Sequence, residues 1–188
     1  LPLRVFQEIA ASGIDATEGG PVSYCLPYSR VPLEKSIQEW QAAVSYFASA
    51  RNIDAHIESF AGCMLGQLCP PSLLIALTIL EAIFFKHCGL KNMSLSFAQG
   101  THVLQDYAAL KVLRTLAKKY LKDLRWHVVM YSYMGVFPET LAGARLLIAD
   151  SARLASAAGC ERLIVKTPVE SQRIPTIAEN VEALELAY

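Results

Sequence analysis

The sequence carries no excess of either charge. Seventeen basic residues balance seventeen acidic ones, so there is no electrostatic footprint for nucleic acid or an anionic membrane. It has no CxxC pair, and its five cysteines, at positions 25, 63, 69, 88 and 160, are odd in number and scattered. That pattern argues against a disulfide framework and for free, mostly buried thiols. Its four histidines, His56, His87, His102 and His127, show no metal-binding spacing such as HExxH, and each reads as structural. Neither GxGxxG nor GxxxxGKS/T occurs, which removes the phosphate loops of many doubly wound nucleotide binders. The greasiest run, Leu73 to Phe85, is shorter than a membrane span and is interrupted by Glu81, as in a buried helix. No stretch reads as a signal peptide, so a soluble, cytoplasmic chain is expected. Leu1 is not an initiator methionine, and the chain reads as processed, excised or truncated.

What is present is apolar and periodic. Of 188 residues, 53% are hydrophobic and 18% charged, enough to build the core of one domain over residues 1–188. Strands are predicted at Val22 to Leu26, Ile53 to Phe60, Asn92 to Ala98, Trp126 to Tyr131 and Arg162 to Lys166. Amphipathic helices fall between and around them, from Arg4, Pro32, Pro70, Val103 and Thr176 onward, with a further one closed by Gly159. The basic face Lys111, Arg114, Lys118, Lys119 and Lys122 reads as solvated surface. Strand starts recur at roughly 31 to 39 residues, the size of a βα unit. The fold class is therefore α/β, either doubly wound or a (β/α)₈ barrel of the TIM-barrel type. Polar and unusual residues follow the strands' carboxyl ends, where barrel enzymes build their sites. Five units are counted, which leaves an incomplete barrel or an open five-stranded sheet.

Two constellations carry chemistry. Glu18 to Tyr28 reads Glu-Gly-Gly-Pro-Val-Ser-Tyr-Cys-Leu-Pro-Tyr: one carboxylate and two phenols on a turn stiffened by Pro21 and Pro27. It suits a small polar substrate with an amino group, or is a surface turn bearing two tyrosines. Lys166-Thr167-Pro168-Val169-Glu170 places a lysine and a glutamate four apart at a strand exit. They suit the diol and ring of a nucleoside, or form a loop ion pair.

Four segments together resemble the large catalytic (epsilon) subunit of adenosylcobalamin-dependent glutamate mutase, also called methylaspartate mutase. They are EGGPVSYCLPYSR…LEKSIQEW (18–40), the PPS helix start (70–72), QDYAALKVL (105–113), and YMGVFPE with LIVKTPVES..IPT (133–139, 163–176). The resemblance covers essentially the whole chain. It implies the C-terminal portion of a TIM-barrel catalytic domain and a radical rearrangement of the carbon skeleton of L-glutamate to 3-methylaspartate. It also implies adenosylcobalamin as cofactor, a small cobalamin-binding (sigma) partner subunit and a heterotetramer. Carried over, Glu18 matches a glutamate that binds the substrate ammonium and acts as a base, and Tyr24 and Tyr28 match substrate-contacting tyrosines. Pro27, Phe60 and Met134 match neighbours of the adenosyl group, and Lys166 and Glu170 the pair holding its ribose.

There are departures from the family's pattern. Its three substrate-gripping arginines have no counterpart among these residues, and Arg4 aligns downstream of the third. Cys25 replaces an asparagine, Tyr131-Ser132 a His-Gln pair, and Val169 a polar residue. Asp54-Ala55-His56-Ile57-Glu58-Ser59 approaches the DxHxxG motif that supplies a histidine to cobalt, but Ser59 stands where glycine is required. The cobalt ligand is therefore expected from the partner subunit. The alternative to an enzyme is a truncated, non-catalytic paralogue that keeps only the surface meeting that subunit.

Overall fold

The computed structural model describes residues 2–23, 29–50, 52–61 and 69–188. Helices and strands alternate: α1 (Pro2–Ala11), β1 (Ala16–Gly19), α2 (Leu33–Ser49), β2 (His56–Ser59), α3 (Pro71–His87), β3 (Asn92–Ala98), α4 (Val103–Tyr120), β4 (Arg125–Tyr131), α5 (Leu141–Ala158), β5 (Arg162–Ile164) and α6 (Ile177–Ala187). The five strands form one parallel sheet in the order β1-β2-β3-β4-β5. The order never reverses, so the switch point of a doubly wound sheet is absent from the described residues. The arrangement is consistent with an incomplete barrel.

Residues alternate between the two faces of the sheet. Ile57, Met93, Leu95, Phe97, Val128 and Met130 join one apolar core with Phe6, Trp40, Phe47, Phe85, Leu110, Leu113 and Leu154 from the helices. Phe6 meets Trp40 and Phe47 edge-on, with ring centroids 5.6 and 5.2 Å away, the arrangement that aromatic quadrupoles favour. The intervening strand residues are mostly polar, including His56, Glu58, Asn92, Ser94, Ser96 and His127, with Ala98 and Val129 as apolar exceptions.

Local chemistry explains the helix ends. Thr140 and Thr176 cap α5 and α6 through their hydroxyls, and Thr176 forms a reciprocal capping box with Glu179. Gly159 closes α5 in the left-handed region, at φ 75°. Lys111 and Arg114 of α4 donate to the carbonyls of Ala158, the last residue of α5, and of Gly159, which closes it, and Arg114 also pairs with Glu161 at 2.9 Å. Part of the basic face read as solvated thus caps a neighbouring helix, where cations are favoured.

Four expectations need correction, the second strand being His56–Ser59 rather than Ile53 to Phe60. The first described strand is Ala16–Gly19, and Pro21 to Ser23 form a turn, so the expected strand does not begin at Val22, while its residues Tyr24 to Leu26 lie outside the described residues; Pro21 lacks a ladder donor, and the Val22 and Ser23 amides donate to a side chain, Glu81. The last strand ends at Ile164, two residues short of Lys166. Cys69, Cys88 and Cys160 are free but only partly buried, while Cys25 and Cys63 lie outside the described residues. Among the described residues no helix is long and apolar enough to cross a membrane.

His56 and His127 stack at the amino-terminal end of the sheet, with centroids 5.4 Å apart. Burial lowers both pKa values first. For His56, the His127 and Arg162 charges lower it further against Asp15 and Asp54; for His127, Arg162 does so against Glu161 and Glu58. Both therefore bind fewer protons folded than unfolded. The stability this confers is present above the ordinary histidine value of about 6.5 and is lost as pH falls through the folded values. Thermal midpoints measured from pH 7 to pH 5 should fall, and His127→Gln should make that fall shallower; an unchanged slope would remove the pair from the acid response.

Candidate functional site

Glu18 is the third residue of β1 and lies exposed, paired across the ladder with Glu58 of β2. The register carries this row on through Ser94 to His127, so all four residues share the face opposite the main core. Parallel strands in register put like positions side by side, and here that places two carboxylates next to each other.

Glu58 is the centre of a buried network that sequence reasoning missed. Its side chain is 8% exposed. It accepts from the Tyr131 hydroxyl at 2.7 Å and the Ser94 hydroxyl at 3.0 Å, and the Arg162 guanidinium lies 3.8 Å away. A buried carboxylate needs such partners. The sequence signal is that Glu58 shares a strand face with His56, but Glu58 also sits inside the apparent cobalt-binding motif, which masks it. His56 itself stands at the start of β2, with Nε2 3.0 Å from the Ser94 hydroxyl. That is the end of the strand away from Phe60.

Phe60 follows β2 directly. It is buried with Ala98, and its ring meets Tyr131 edge-on at 5.3 Å. Met134, 37% exposed, lies in the loop after β4. The ends of β2, β3 and β4 thus bring together an apolar patch, with Tyr131 linking it to Glu58.

Lys166 and Glu170 follow β5 and pair at 2.6 Å, both side chains about one-third exposed. Ser132 braces this loop from β4: its hydroxyl donates to the Ile164 carbonyl at 3.0 Å and accepts from the Lys166 amide at 3.1 Å. Val169 is buried at 4% exposure, so an apolar residue there plugs the loop while Lys166 and Glu170 stay at its surface. Tyr24, Pro27 and Tyr28 lie outside the described residues.

In sequence Glu81 of α3 is only an interruption of an apolar run. Its carboxylate is buried and accepts from the Val22 and Ser23 amides and from the Ser59 hydroxyl. Burial raises its pKa, against the lowering effect of those hydrogen bonds. A related device follows β3, where Asp106 of α4 accepts from the Gly100 amide at 3.0 Å. A cavity of about 950 Å³ between α4 and α5, lined in part by Gln99, Leu104, Tyr107 and Tyr133, contains none of the site residues named from sequence. Among the described residues no group of His, Cys, Asp and Glu could hold a metal ion.

Comparison with known proteins matches residues 2–188 to the family model described as "Methylaspartate mutase E chain (MutE)". The glutamate mutase epsilon subunit of Escherichia coli O157:H7 is 35% identical over 191 residues, covering 97% of this chain and 40% of that protein. Its namesake from Treponema denticola is 34% identical, with 97% of this chain and 39% of that protein covered. The Haloarcula marismortui protein of the same name is 34% identical over 93% of this chain and 36% of its own length. The chain spans about 40% of the length of these relatives.

Proposed function

This chain belongs to the methylaspartate mutase E chain family, and on that premise we propose that it is a segment of the catalytic (epsilon) subunit of an adenosylcobalamin-dependent glutamate mutase. The reaction is the isomerisation of L-glutamate to 3-methylaspartate, carried out in the cytoplasm. The observation that carries the proposal is the placement of Glu18 beside Glu58 on one sheet face, with the Lys166–Glu170 pair at a strand exit in the same sheet. In this reading the sequential sheet is part of a (β/α)₈ barrel wall and residues 1–188 are the C-terminal portion of one catalytic domain.

The residues fit the adenosyl part of the cofactor. Lys166 and Glu170 offer a donor and an acceptor for the ribose diol, and Phe60, Ala98 and Tyr131 supply an apolar wall, to which Met134 adds. When bound, adenosylcobalamin supplies the radical that removes a hydrogen atom from the substrate. A small cobalamin-binding (sigma) subunit provides the cobalt ligand, and the two subunit types form a heterotetramer.

The chain's own residues bind and orient. The Glu18 carboxylate holds the substrate ammonium by a charge-assisted hydrogen bond and takes or returns a proton at that nitrogen. Glu58 adds negative charge on the same face, favouring the ammonium. Tyr24 and Tyr28 donate their phenolic hydrogens to the substrate carboxylates. The apolar wall excludes water, which strengthens each of these interactions.

The test is to combine the protein with the small subunit, adenosylcobalamin and L-glutamate and to look for 3-methylaspartate. Product is the expected result. If the small subunit and cobalamin bind but no product forms, the chain is the non-catalytic paralogue that retains only the interaction surface.

A further inference from the structure

The short segment leaving β1, as far as Ser23, is held by side chains of two helices. Three consecutive backbone groups just past the strand that carries Glu18 are met by buried side chains of two helices. The Val22 and Ser23 amides donate to Glu81 Oε1 at 3.0 and 2.9 Å. The Pro21 carbonyl accepts from the Ser36 hydroxyl of α2 at 2.9 Å. The second Glu81 oxygen accepts from the Ser59 hydroxyl at 2.9 Å, so one carboxylate ties together the exits of β1 and β2.

Gly20 shows that this contact shapes the sequence around it. A Cβ at Gly20 would lie 2.2 Å from Glu81 Oε1, inside the volume the carboxylate occupies. The second glycine of the Glu-Gly-Gly-Pro motif is therefore space for Glu81. Glu81 is 2% exposed in the middle of a mostly apolar helix. Burying a carboxylate there is costly, and among the described residues its hydrogen bonds go to the exits of the two strands that bear Glu18 and Glu58.

From this geometry we infer that Glu81 is a positioning residue for the amino-acid site, fixing the β1 exit and hence Glu18. The inference rests on the proposed binding of the substrate ammonium by Glu18. It assigns Glu81 no contact with substrate or cofactor.

The experiment compares Glu81→Ala and Glu81→Gln in the protein assembled with its small subunit. Glutamine keeps an oxygen for the two amides and can donate to the Ser59 hydroxyl, so it should rescue; alanine leaves both amides without an acceptor. In Glu81→Ala, hydrogen exchange at Val22 and Ser23 should accelerate about tenfold or more. KM for L-glutamate should rise about tenfold with affinity for adenosylcobalamin unchanged, and Glu81→Gln should stay within about threefold of wild type in both. Should Glu81→Ala not fold, Gly20→Ala, which displaces the carboxylate without removing it, should give the same exchange and KM pattern.

Unchanged exchange at Val22 and Ser23 overturns the inference. So does faster exchange with an unchanged KM, provided Glu18→Gln remains strongly impaired. If Glu18→Gln is also without effect, the proposed ammonium site itself has failed and the inference falls with it.

Discussion

Glu18→Gln is expected to lower the turnover of L-glutamate by about 10²- to 10⁴-fold while leaving cobalamin binding within about twofold of wild type. The magnitude is that of removing a positioned acid–base group, and glutamine keeps the size and one acceptor while losing the charge and the proton site. Because Glu18 is exposed on the sheet face, folding should be little affected, with a stability change of about 0.5 kcal/mol or less. A large kinetic loss with unchanged thermal stability would separate chemistry from structure. A variant running at the wild-type rate would remove Glu18 from the mechanism. The readout is steady-state formation of 3-methylaspartate alongside cobalamin titration.

Lys166→Ala should weaken adenosylcobalamin binding by about 10- to 100-fold and leave stability nearly unchanged. As a partly exposed ion pair at 2.6 Å, Lys166–Glu170 is worth only about 0–1 kcal/mol to the fold. If the pair were merely a loop clasp, the substitution would therefore change little of any kind. A charge-assisted hydrogen bond to a bound ribose is worth about 1.5–3 kcal/mol, which is the source of the expected fold-change. Equilibrium titration of the cofactor, with and without the substitution, decides between the two. Unchanged affinity would leave the ion pair as the residue's whole role.

The elements that periodicity could reach were the easiest to read. β3 runs from Asn92 to Ala98 in both sequence and structure, because its apolar side alternates cleanly with a serine-rich side and Gly89 marks the turn before it. Where long-range contacts decide, the sequence misleads. Val22 to Leu26 has the composition of a strand, yet the Val22 and Ser23 amides are taken by a carboxylate 59 and 58 residues away. No local pattern announces that competition. Glu58 was hidden for a related reason: its partners Ser94, Tyr131 and Arg162 come from three other strands. Only the register shows that they share a face. The departures at Ser132 and Val169 became intelligible only with the fold, since one braces the Lys166 loop and the other fills the space beneath it.

The sequential strand order also bears on how the chain assembles. Each strand pairs with its predecessor, as in Ala16 with His56, His56 with Asn92, Asn92 with Arg125, and Val129 with Arg162. Every new ladder therefore closes a loop of about one βα unit, and each doubling of loop length adds only about 0.6 kcal/mol of closure entropy. Growth of the sheet can then follow the direction of synthesis, each unit docking on the one already made. A doubly wound sheet cannot be laid down that way, because its reversal sends one strand back past others already in place. In this chain β3 is the hinge of the order: it is buried along its whole length and joins β1–β2 to β4–β5, so a fault there would leave two fragments of sheet with no shared ladder.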